Sequence, residues 1–228
     1  MGKIEEVNER GFAVFQEALP PEELYQIGYW KETYDAPMRG HDVDGRYYDR
    51  FHQSVEWANY WTMSLHDHVE VRKITPYVTR IAEIFLDDPV FYHCDVSVLT
   101  PKCQIIRPHV DTPHRHQPWN DKIDRRLSIQ FAAPLHTVHK HAGITALLPG
   151  SHKQVWKIKK CYGGGYDEEF LKGAYQPDVK FGDLLAWDAR TLHSQMPNVS
   201  DTNRYMLLFN YVERDILDNL MAHENTLV

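Results

Sequence analysis

The stretch Gly182-Asp-Leu-Leu-Ala-Trp-Asp-Ala-Arg-Thr-Leu-His193 contains the short apolar run Leu184 to Trp187 and ends on a histidine. A short apolar run between turn-forming residues is typical of a buried strand. Many short strands after a helical start predict a mainly β fold with flanking helices, a double-stranded β-helix or jelly roll. Four further runs of this kind are separated by Pro, Gly and charged segments: Phe91 to Leu99, Leu127 to Ala133, Ile144 to Leu148 and Tyr205 to Val212.

The amino-terminal part of the chain has a different pattern. Gly11 to Phe15 predicts a strand, and Pro20-Pro-Glu-Glu23 opens a helix, because proline and acidic residues suit a first helical turn. Apolar residues recur at three- and four-residue steps from Asp67 to Leu86, which predicts an amphipathic helix that Pro76 either kinks or delays. Further along, the glycine-rich and acidic segment from Cys161 to Gly173 is the candidate for a mobile loop.

Length and charge limit the domain organisation and the partners. The 228 residues suit one domain, and we expect a helical and strand buttress over residues 1–90 and a jelly-roll core over residues 91–213 of a single domain spanning 1–228. Lys plus Arg number 25 against 32 Asp plus Glu, which gives a formal net charge of -7. This charge disfavours nucleic acids and anionic membranes as partners and leaves a small molecule as the expected substrate.

Cysteine usage and the absence of long apolar runs indicate the compartment. Cys94, Cys103 and Cys161 are widely spaced and include no CxxC pair, which is typical of a reducing compartment. The first residues are charged and do not resemble a signal peptide, and no run approaches the roughly 18 apolar residues of a membrane span. We therefore expect a cytoplasmic protein that is a monomer or a homodimer.

The motif His109-Val-Asp111 lies upstream of His193 and carries two metal-ligating side chains. Side chains two residues apart in extended backbone point the same way, so His109 and Asp111 face a common point. Two imidazoles and one carboxylate are the ligand set that holds non-haem Fe(II) on one face and leaves the opposite positions open. His109, Asp111 and His193 are therefore the predicted metal ligands, and no catalytic side chain is predicted beyond the metal centre.

Arg204 lies eleven positions after His193, where a following strand can bring its guanidinium beside the metal. A planar, permanently charged guanidinium holds a carboxylate through two parallel hydrogen bonds. The expected carboxylate is that of 2-oxoglutarate. The predicted cofactors are accordingly Fe(II), 2-oxoglutarate as cosubstrate and O2, with Arg204 as the cosubstrate-binding residue.

Several motifs occur together in the order typical of one known family. They are the HxD at His109, the turn Pro149-Gly-Ser-His-Lys153, the Gly182-Asp-Leu-Leu strand leading to His193, and Asn198-x-Ser-x-x-x-Arg204. In these motifs the chain resembles the phytanoyl-CoA dioxygenase family of Fe(II)/2-oxoglutarate oxygenases. The resemblance extends more weakly to residues 11–24. It implies that His109, Asp111 and His193 bind iron and that Arg204 pairs with the far carboxylate of 2-oxoglutarate.

Some positions depart from the pattern of that family. Gln195 stands where a small residue often follows the distal histidine, and Pro108, Val110 and Ala142 also differ from the common residues. These departures bear on the substrate and not on the metal.

Two other histidine pairs compete with the HxD motif for a metal. His114-Arg-His116 and His139-Lys-His141 can each place two imidazoles on one face, but neither has the nearby Glu expected of a cupin metal site. Both pairs lie in polar stretches that are typical of exposed loops. The first pair is close to Asp111, which leaves a role in substrate contact open for it.

The expected activity is hydroxylation, or another oxidation, of a small molecule with release of succinate and CO2. In related halogenases a small residue replaces the carboxylate ligand, so Asp111 favours hydroxylation or a related oxidation. One alternative is an acyl-CoA hydroxylase of the phytanoyl-CoA type, and another is a non-catalytic metal-binding jelly roll that serves as a sensor or structural module. A coenzyme A tail or a phosphate could meet the basic cluster of Lys153, Lys157, Lys159 and Lys160, although such clusters are usually solvated.

Overall fold

The chain alternates helices and strands at first and then consists almost entirely of strands. The computed structural model describes residues 2–29, 60–103, 108–111, 125–138, 141–154 and 168–217. The first elements are α1 (Lys3–Arg10), β1 (Phe12–Phe15), α2 (Pro21–Gly28), β2 (Tyr60–Ser64) and α3 (Val69–Ala82). They are followed by β3 (Pro89–Leu99), β4 (Ser128–Pro134), β5 (Thr145–Leu147), a 3-10 helix (Ser151–Lys153), α4 (Glu168–Gly173), β6 (Leu184–Asp188), β7 (His193–Gln195) and β8 (Arg204–Glu213).

Two antiparallel sheets form the body of the protein. Six strands make the large sheet in the order β1-β6-β4-β8-β3-β2, so strands from the amino-terminal part occupy both of its edges. β5 and β7 pair in the small sheet. Two single-residue bridges extend this sheet, one between His109 and His193 and the other between Ala142 and Asn198. This architecture confirms the predicted mainly β fold with flanking helices, a double-stranded β-helix.

Alternation along the strands divides the large sheet between two apolar cores. On β6, Leu184 and Ala186 belong to a core that includes the buried side of α3. The intervening residues Leu185 and Trp187 face the other way and pack with Leu147 of the small sheet. Because side chains in a strand alternate between faces, every second residue of a large-sheet strand points into the space between the two sheets.

Helix α3 forms as its apolar spacing predicts. Val71, Ile74, Val78 and Ala82 are completely buried, and they recur at three- and four-residue steps on one face. Pro76 neither delays nor ends the helix, which begins at Val69 and continues through this exposed proline to Ala82. Within the described residues, no helix combines the length and the apolar content that crossing a bilayer requires.

Sequence reasoning does not predict α1, β2, β7 or α4. α1 is mostly charged and has a single buried residue, Val7, so it lacks an apolar stripe that could be recognised. β7 consists of three residues, His-Ser-Gln, and is too short and polar to stand out. α4 occupies residues 168–173 of the segment expected to be a mobile loop, whereas residues 161–167 lie outside the described part of the chain.

A buried carboxylate joins the end of β6 to two neighbouring arginines. The Asp188 side chain is completely buried and accepts hydrogen bonds from Arg190 Nε at 2.8 Å and Nη2 at 2.7 Å, and from Arg126 Nε at 2.8 Å. Burial by itself raises the pKa of the Asp188 carboxyl. The hydrogen bond and the charge of Arg190, together with the charge of Arg126, nevertheless hold that pKa well below its usual range.

We expect Asp188→Asn to lower the free energy of unfolding at pH 7 by about 3–5 kcal/mol, because the change leaves two largely buried guanidinium groups without their carboxylate. Urea denaturation measures this loss. Asp178→Asn, which removes the same charge from an exposed position, is the matched control and should leave the free energy of unfolding almost unchanged.

The pH dependence of the same difference follows from the depressed pKa of Asp188. The stabilisation is complete above the pKa of an unfolded aspartate, about 3.9, and is lost as the pH falls below that value toward the depressed pKa of the folded state. The gap between the wild type and Asp188→Asn should therefore close in acid. A gap that is absent at pH 7, or that widens in acid, would contradict this account.

Candidate metal centre

Backbone pairing brings the two predicted histidine ligands together. The amide N of His109 donates to the carbonyl O of His193 at 2.9 Å, and the amide N of His193 donates back to the carbonyl O of His109 at 3.0 Å. Residues that exchange both bonds lie directly opposite each other, with their side chains on the same face. A further bond from the Asp111 amide to the Ala189 carbonyl, at 2.8 Å, ties this segment to the turn after β6.

The three predicted ligand side chains converge on one point. Asp111 Oδ2 lies 3.3 Å from His193 Nε2, and Asp111 Oδ1 lies 3.8 Å from His109 Nε2. One ligand atom from each residue lies within 4.8 Å of the other two, and in the part of the chain that the structure describes no other group of three His, Cys, Asp or Glu side chains meets this criterion. His193 is buried and the other two are half-buried. Two imidazoles and a carboxylate so close together fit a single divalent metal ion.

Hydrogen bonds orient two of these side chains. His193 Nδ1 lies 3.0 Å from the carbonyl O of Thr191, which places the ring proton on Nδ1 and leaves the Nε2 lone pair facing the convergence point. Asp111 Oδ2 accepts a hydrogen bond from Trp187 Nε1 at 3.0 Å. Sequence reasoning missed Trp187 as part of the site. The signal was the alternation along β6, which directs Trp187 between the sheets together with Leu185.

Two aspartates that flank the apolar run of β6, Asp183 and Asp188, make hydrogen bonds that hold the fold. Asp183 accepts hydrogen bonds from the backbone amides of Glu17 and Lys180, both at 2.9 Å, and so holds the turn before β6. Asp188 binds the arginines described above. Trp187, which lies between these two aspartates in the sequence, bonds to the side chain of the predicted ligand Asp111 instead.

The Pro-Gly-Ser-His-Lys turn supports the segment that leads to His193. Ser151 Oγ accepts the backbone amide of Leu192 at 2.9 Å and donates to the Leu148 carbonyl at 2.7 Å. His152 is buried against α1, where its Nε2 lies 3.1 Å from the carbonyl O of Asn8. Burial lowers the pKa of His152, which favours a neutral ring in this position. The turn therefore connects the amino terminus to the strand of the distal histidine.

Arg204 lies at the start of β8 and is completely buried. Its Nη2 donates to Ser97 Oγ at 3.1 Å and to Gln195 Oε1 at 3.0 Å. Gln195 is two residues after His193 on β7, so both side chains lie on the same face of that short strand. The guanidinium is thereby joined to the strand that carries the distal histidine.

The loop between β7 and β8 is held by the motif asparagine. Asn198 is completely buried, and its Nδ2 donates to the carbonyls of Leu99 and Thr202 while its Oδ1 accepts from the amide and hydroxyl of Ser200. These bonds fix the chain on its way to Arg204. The Asn-x-Ser part of the motif thus sets the position at which β8 begins.

The remaining candidate residues are exposed or lie outside the described residues. His141 and Lys153 are exposed. His114, His116, His139, Lys157, Lys159, Lys160 and Cys161 lie outside the described part of the chain.

Solved structures of similar fold include non-haem α-ketoglutarate-dependent enzymes. The chain is similar to the non-haem α-ketoglutarate-dependent epimerase SnoN from nogalamycin biosynthesis, with a TM-score of 0.72, 17% identity, and coverage of 92% of this chain and 82% of that one. It is similar to the carbocyclase SnoK from the same biosynthesis, with a TM-score of 0.71, 16% identity, and coverage of 92% and 83%.

A third similar structure is AviO1 from Streptomyces viridochromogenes Tue57, with a TM-score of 0.68, 18% identity, and coverage of 93% of this chain and 94% of that one. At these identities the similarity establishes the fold alone. No curated protein matches the chain.

The sequence itself matches a family model over most of its length. The model of phytanoyl-CoA dioxygenase matches residues 7–206, a span that includes the HxD motif, the distal histidine and Arg204. The chain therefore belongs to the phytanoyl-CoA dioxygenase family.

Proposed function

We propose that the protein is an Fe(II)/2-oxoglutarate-dependent dioxygenase that hydroxylates, or otherwise oxidises, a small molecule with release of succinate and CO2. Membership of the phytanoyl-CoA dioxygenase family implies Fe(II), 2-oxoglutarate and O2 as cofactors. The observation that carries the proposal is the convergence of His109, Asp111 and His193 on one point, together with a buried arginine that is hydrogen-bonded to the strand of His193. This chemistry needs both a set of metal ligands and a partner for the carboxylate.

In this proposal three side chains hold the metal on one face. His109 and His193 would bind through Nε2, and Asp111 would bind through its carboxylate. The bound iron supplies the oxidative chemistry that couples decarboxylation of 2-oxoglutarate to oxidation of the substrate. The protein contributes position: the Thr191 carbonyl fixes the tautomer of His193, and Trp187 fixes the rotation of Asp111.

Arg204 is proposed to bind the far carboxylate of 2-oxoglutarate. A completely buried guanidinium attracts an anion more strongly than an exposed one, because little water screens the two charges. Its planar fork also sets the direction from which a carboxylate can pair with it. These properties would place the keto-acid end of the cosubstrate toward the metal ligands.

The type of oxidation is the finer part of the proposal. SnoN is an epimerase and SnoK a carbocyclase, so similar folds host reactions other than hydroxylation. Asp111 supplies the carboxylate ligand, which favours hydroxylation or a related oxidation over halogenation. An acyl-CoA substrate would need a long apolar groove and a basic entrance, and the lysines considered for that entrance lie mostly outside the described residues.

The decisive test is an anaerobic titration of 2-oxoglutarate into Fe(II)-loaded protein, followed by the visible metal-to-ligand charge-transfer band. We expect the band to saturate in the wild type. Arg204→Ala should weaken binding of 2-oxoglutarate about a hundredfold, because it removes charge-assisted hydrogen bonds to a carboxylate. Arg72→Ala, which removes the same charge from an exposed salt bridge, should leave binding unchanged. Confirmed iron binding without any band would refute the proposed function.

A second prediction separates an enzyme from a non-catalytic jelly roll. In air, the wild type should convert 2-oxoglutarate slowly to succinate even without its substrate, and Asp111→Ala should abolish this conversion because one of three metal ligands is lost. Succinate is measured by mass spectrometry, with heat-denatured protein as the blank. Succinate formation by Asp111→Ala at the wild-type rate would exclude Asp111 as a ligand.

Trp187 offers a third prediction, which concerns metal affinity. Trp187→Phe keeps an aromatic ring but removes the N–H that donates to Asp111 Oδ2. Loss of a partner that orients a metal ligand typically weakens metal binding, so we expect the dissociation constant for Fe(II) or Co(II) to rise about 10- to 100-fold. Anaerobic competition with a chromogenic chelator measures it.

The matched control for this change is Phe12→Leu. Phe12 pairs with Trp187 across β1 and β6 and belongs to the same apolar cluster, but it makes no bond to Asp111. It should lower the thermal stability without changing the metal affinity. If both variants weaken metal binding equally, packing and not the indole hydrogen bond supports the site.

A further inference from the structure

Three buried polar side chains from three strands form a closed hydrogen-bonded triangle. Arg204 Nη2 on β8 donates to Gln195 Oε1 on β7 at 3.0 Å and to Ser97 Oγ on β3 at 3.1 Å. Gln195 Nε2 donates to the same Ser97 Oγ at 3.2 Å. Ser97 and Arg204 are completely buried, and Gln195 is 7% exposed. The triangle therefore lies between the sheets and connects the large sheet to the small one.

The hydrogen bond between Gln195 and Ser97 sets the orientation of the Gln195 side-chain amide relative to Arg204. Because the NH2 group is engaged by Ser97, the carbonyl oxygen is turned toward the guanidinium. An amide in the opposite orientation would bring N–H groups against N–H groups. The guanidinium is thus held by oxygens from two directions, and its rotation is restricted.

The two acceptors orient the arginine without neutralising it. An amide oxygen and a hydroxyl oxygen carry no formal charge, in contrast to the Asp188 carboxylate that binds Arg126 and Arg190. Burial raises the pKa of nearby Cys103 to about 11, against the opposing effect of the Arg204 charge, so that thiol is also neutral at pH 7. The two acceptors therefore orient the guanidinium without placing a negative charge against it.

We infer that Gln195 is a positioning residue that holds Arg204 for the far carboxylate of the cosubstrate and makes the pocket selective for 2-oxo diacids. The inference rests on the proposed function and adds a residue to it. Gln195 also connects Arg204 to β7, where His193 is two residues away. A shift of this side chain would therefore change how the arginine is placed relative to the predicted metal ligands.

The test compares two substitutions that keep the length of the side chain. Gln195→Glu places a carboxylate against Arg204, where it competes with the cosubstrate for the guanidinium. We expect this variant to weaken 2-oxoglutarate binding about a hundredfold. Gln195→Met removes the hydrogen bonds without adding charge and should weaken it about tenfold. Ser194→Ala, on the same strand but with its side chain on the opposite face, is the control and should bind as the wild type does.

The distinguishing readout is a second 2-oxo acid. Binding of 2-oxoglutarate and of 2-oxobutyrate, which has the same keto-acid end but no far carboxylate, is measured anaerobically by the charge-transfer band of Fe(II)-loaded protein. We expect the dissociation constant of both Gln195 variants for 2-oxobutyrate to lie within about threefold of the wild-type value. The substitutions change the site for the far carboxylate, which 2-oxobutyrate lacks. Equal weakening for both acids would assign Gln195 a merely structural role and overturn the inference.

The outcomes separate this inference from the proposed function. If the wild type gives no band with 2-oxoglutarate, the proposed function fails and the inference with it. If the wild type gives a band that Arg204→Ala weakens, while Gln195→Glu and Gln195→Met bind 2-oxoglutarate normally, the inference alone fails. If Gln195→Glu does not fold, Gln195→Met decides the question, because it adds no buried charge.

Discussion

The reciprocal backbone pairing of His109 with His193 is the constraint on which the site depends. It joins an otherwise irregular segment to a strand of three residues, and the two imidazoles lie on one face because directly opposed residues must do so. Asp111, two residues after His109, then places its carboxylate close to both imidazole rings. The backbone pairing already places the three predicted ligand side chains close to one another. The main chain therefore sets the geometry of the candidate centre.

Strand alternation in the large sheet places polar side chains in the space between the two sheets. Its helix-facing residues are mostly apolar, whereas some of the residues that point between the sheets carry polar groups, including Trp187, Ser97 and Arg204. A one-residue shift of β6 would turn Trp187 away from Asp111, and a one-residue shift of β8 would bring Asn203 or Tyr205 to the place of Arg204. The register of the strands in this sheet therefore determines which polar side chains lie between the two sheets.

The sequence alone allowed prediction of those candidate site residues that are recognisable from residue type and order. His109, Asp111, His193 and Arg204 could be singled out because few ligand sets combine two imidazoles, a carboxylate and a following arginine in this order. Trp187 could not, since an indole in an apolar strand is usually core, and its bond to Asp111 depends on a contact between residues 76 positions apart. Gln195 was visible only as a departure from the family pattern, because its role depends on Ser97 in a distant strand.

Among the described residues, arginines occur in two contrasting environments, one with a buried carboxylate and one with neutral oxygens. Arg126 and Arg190 are bound to a carboxylate that is itself completely buried, so their charges are cancelled where they lie and serve the fold. Arg204 is completely buried, and it donates to the neutral oxygens of Ser97 and Gln195. The proposed pairing of Arg204 with the cosubstrate carboxylate rests on this difference, because neutral oxygens orient a guanidinium without competing for it as a carboxylate would.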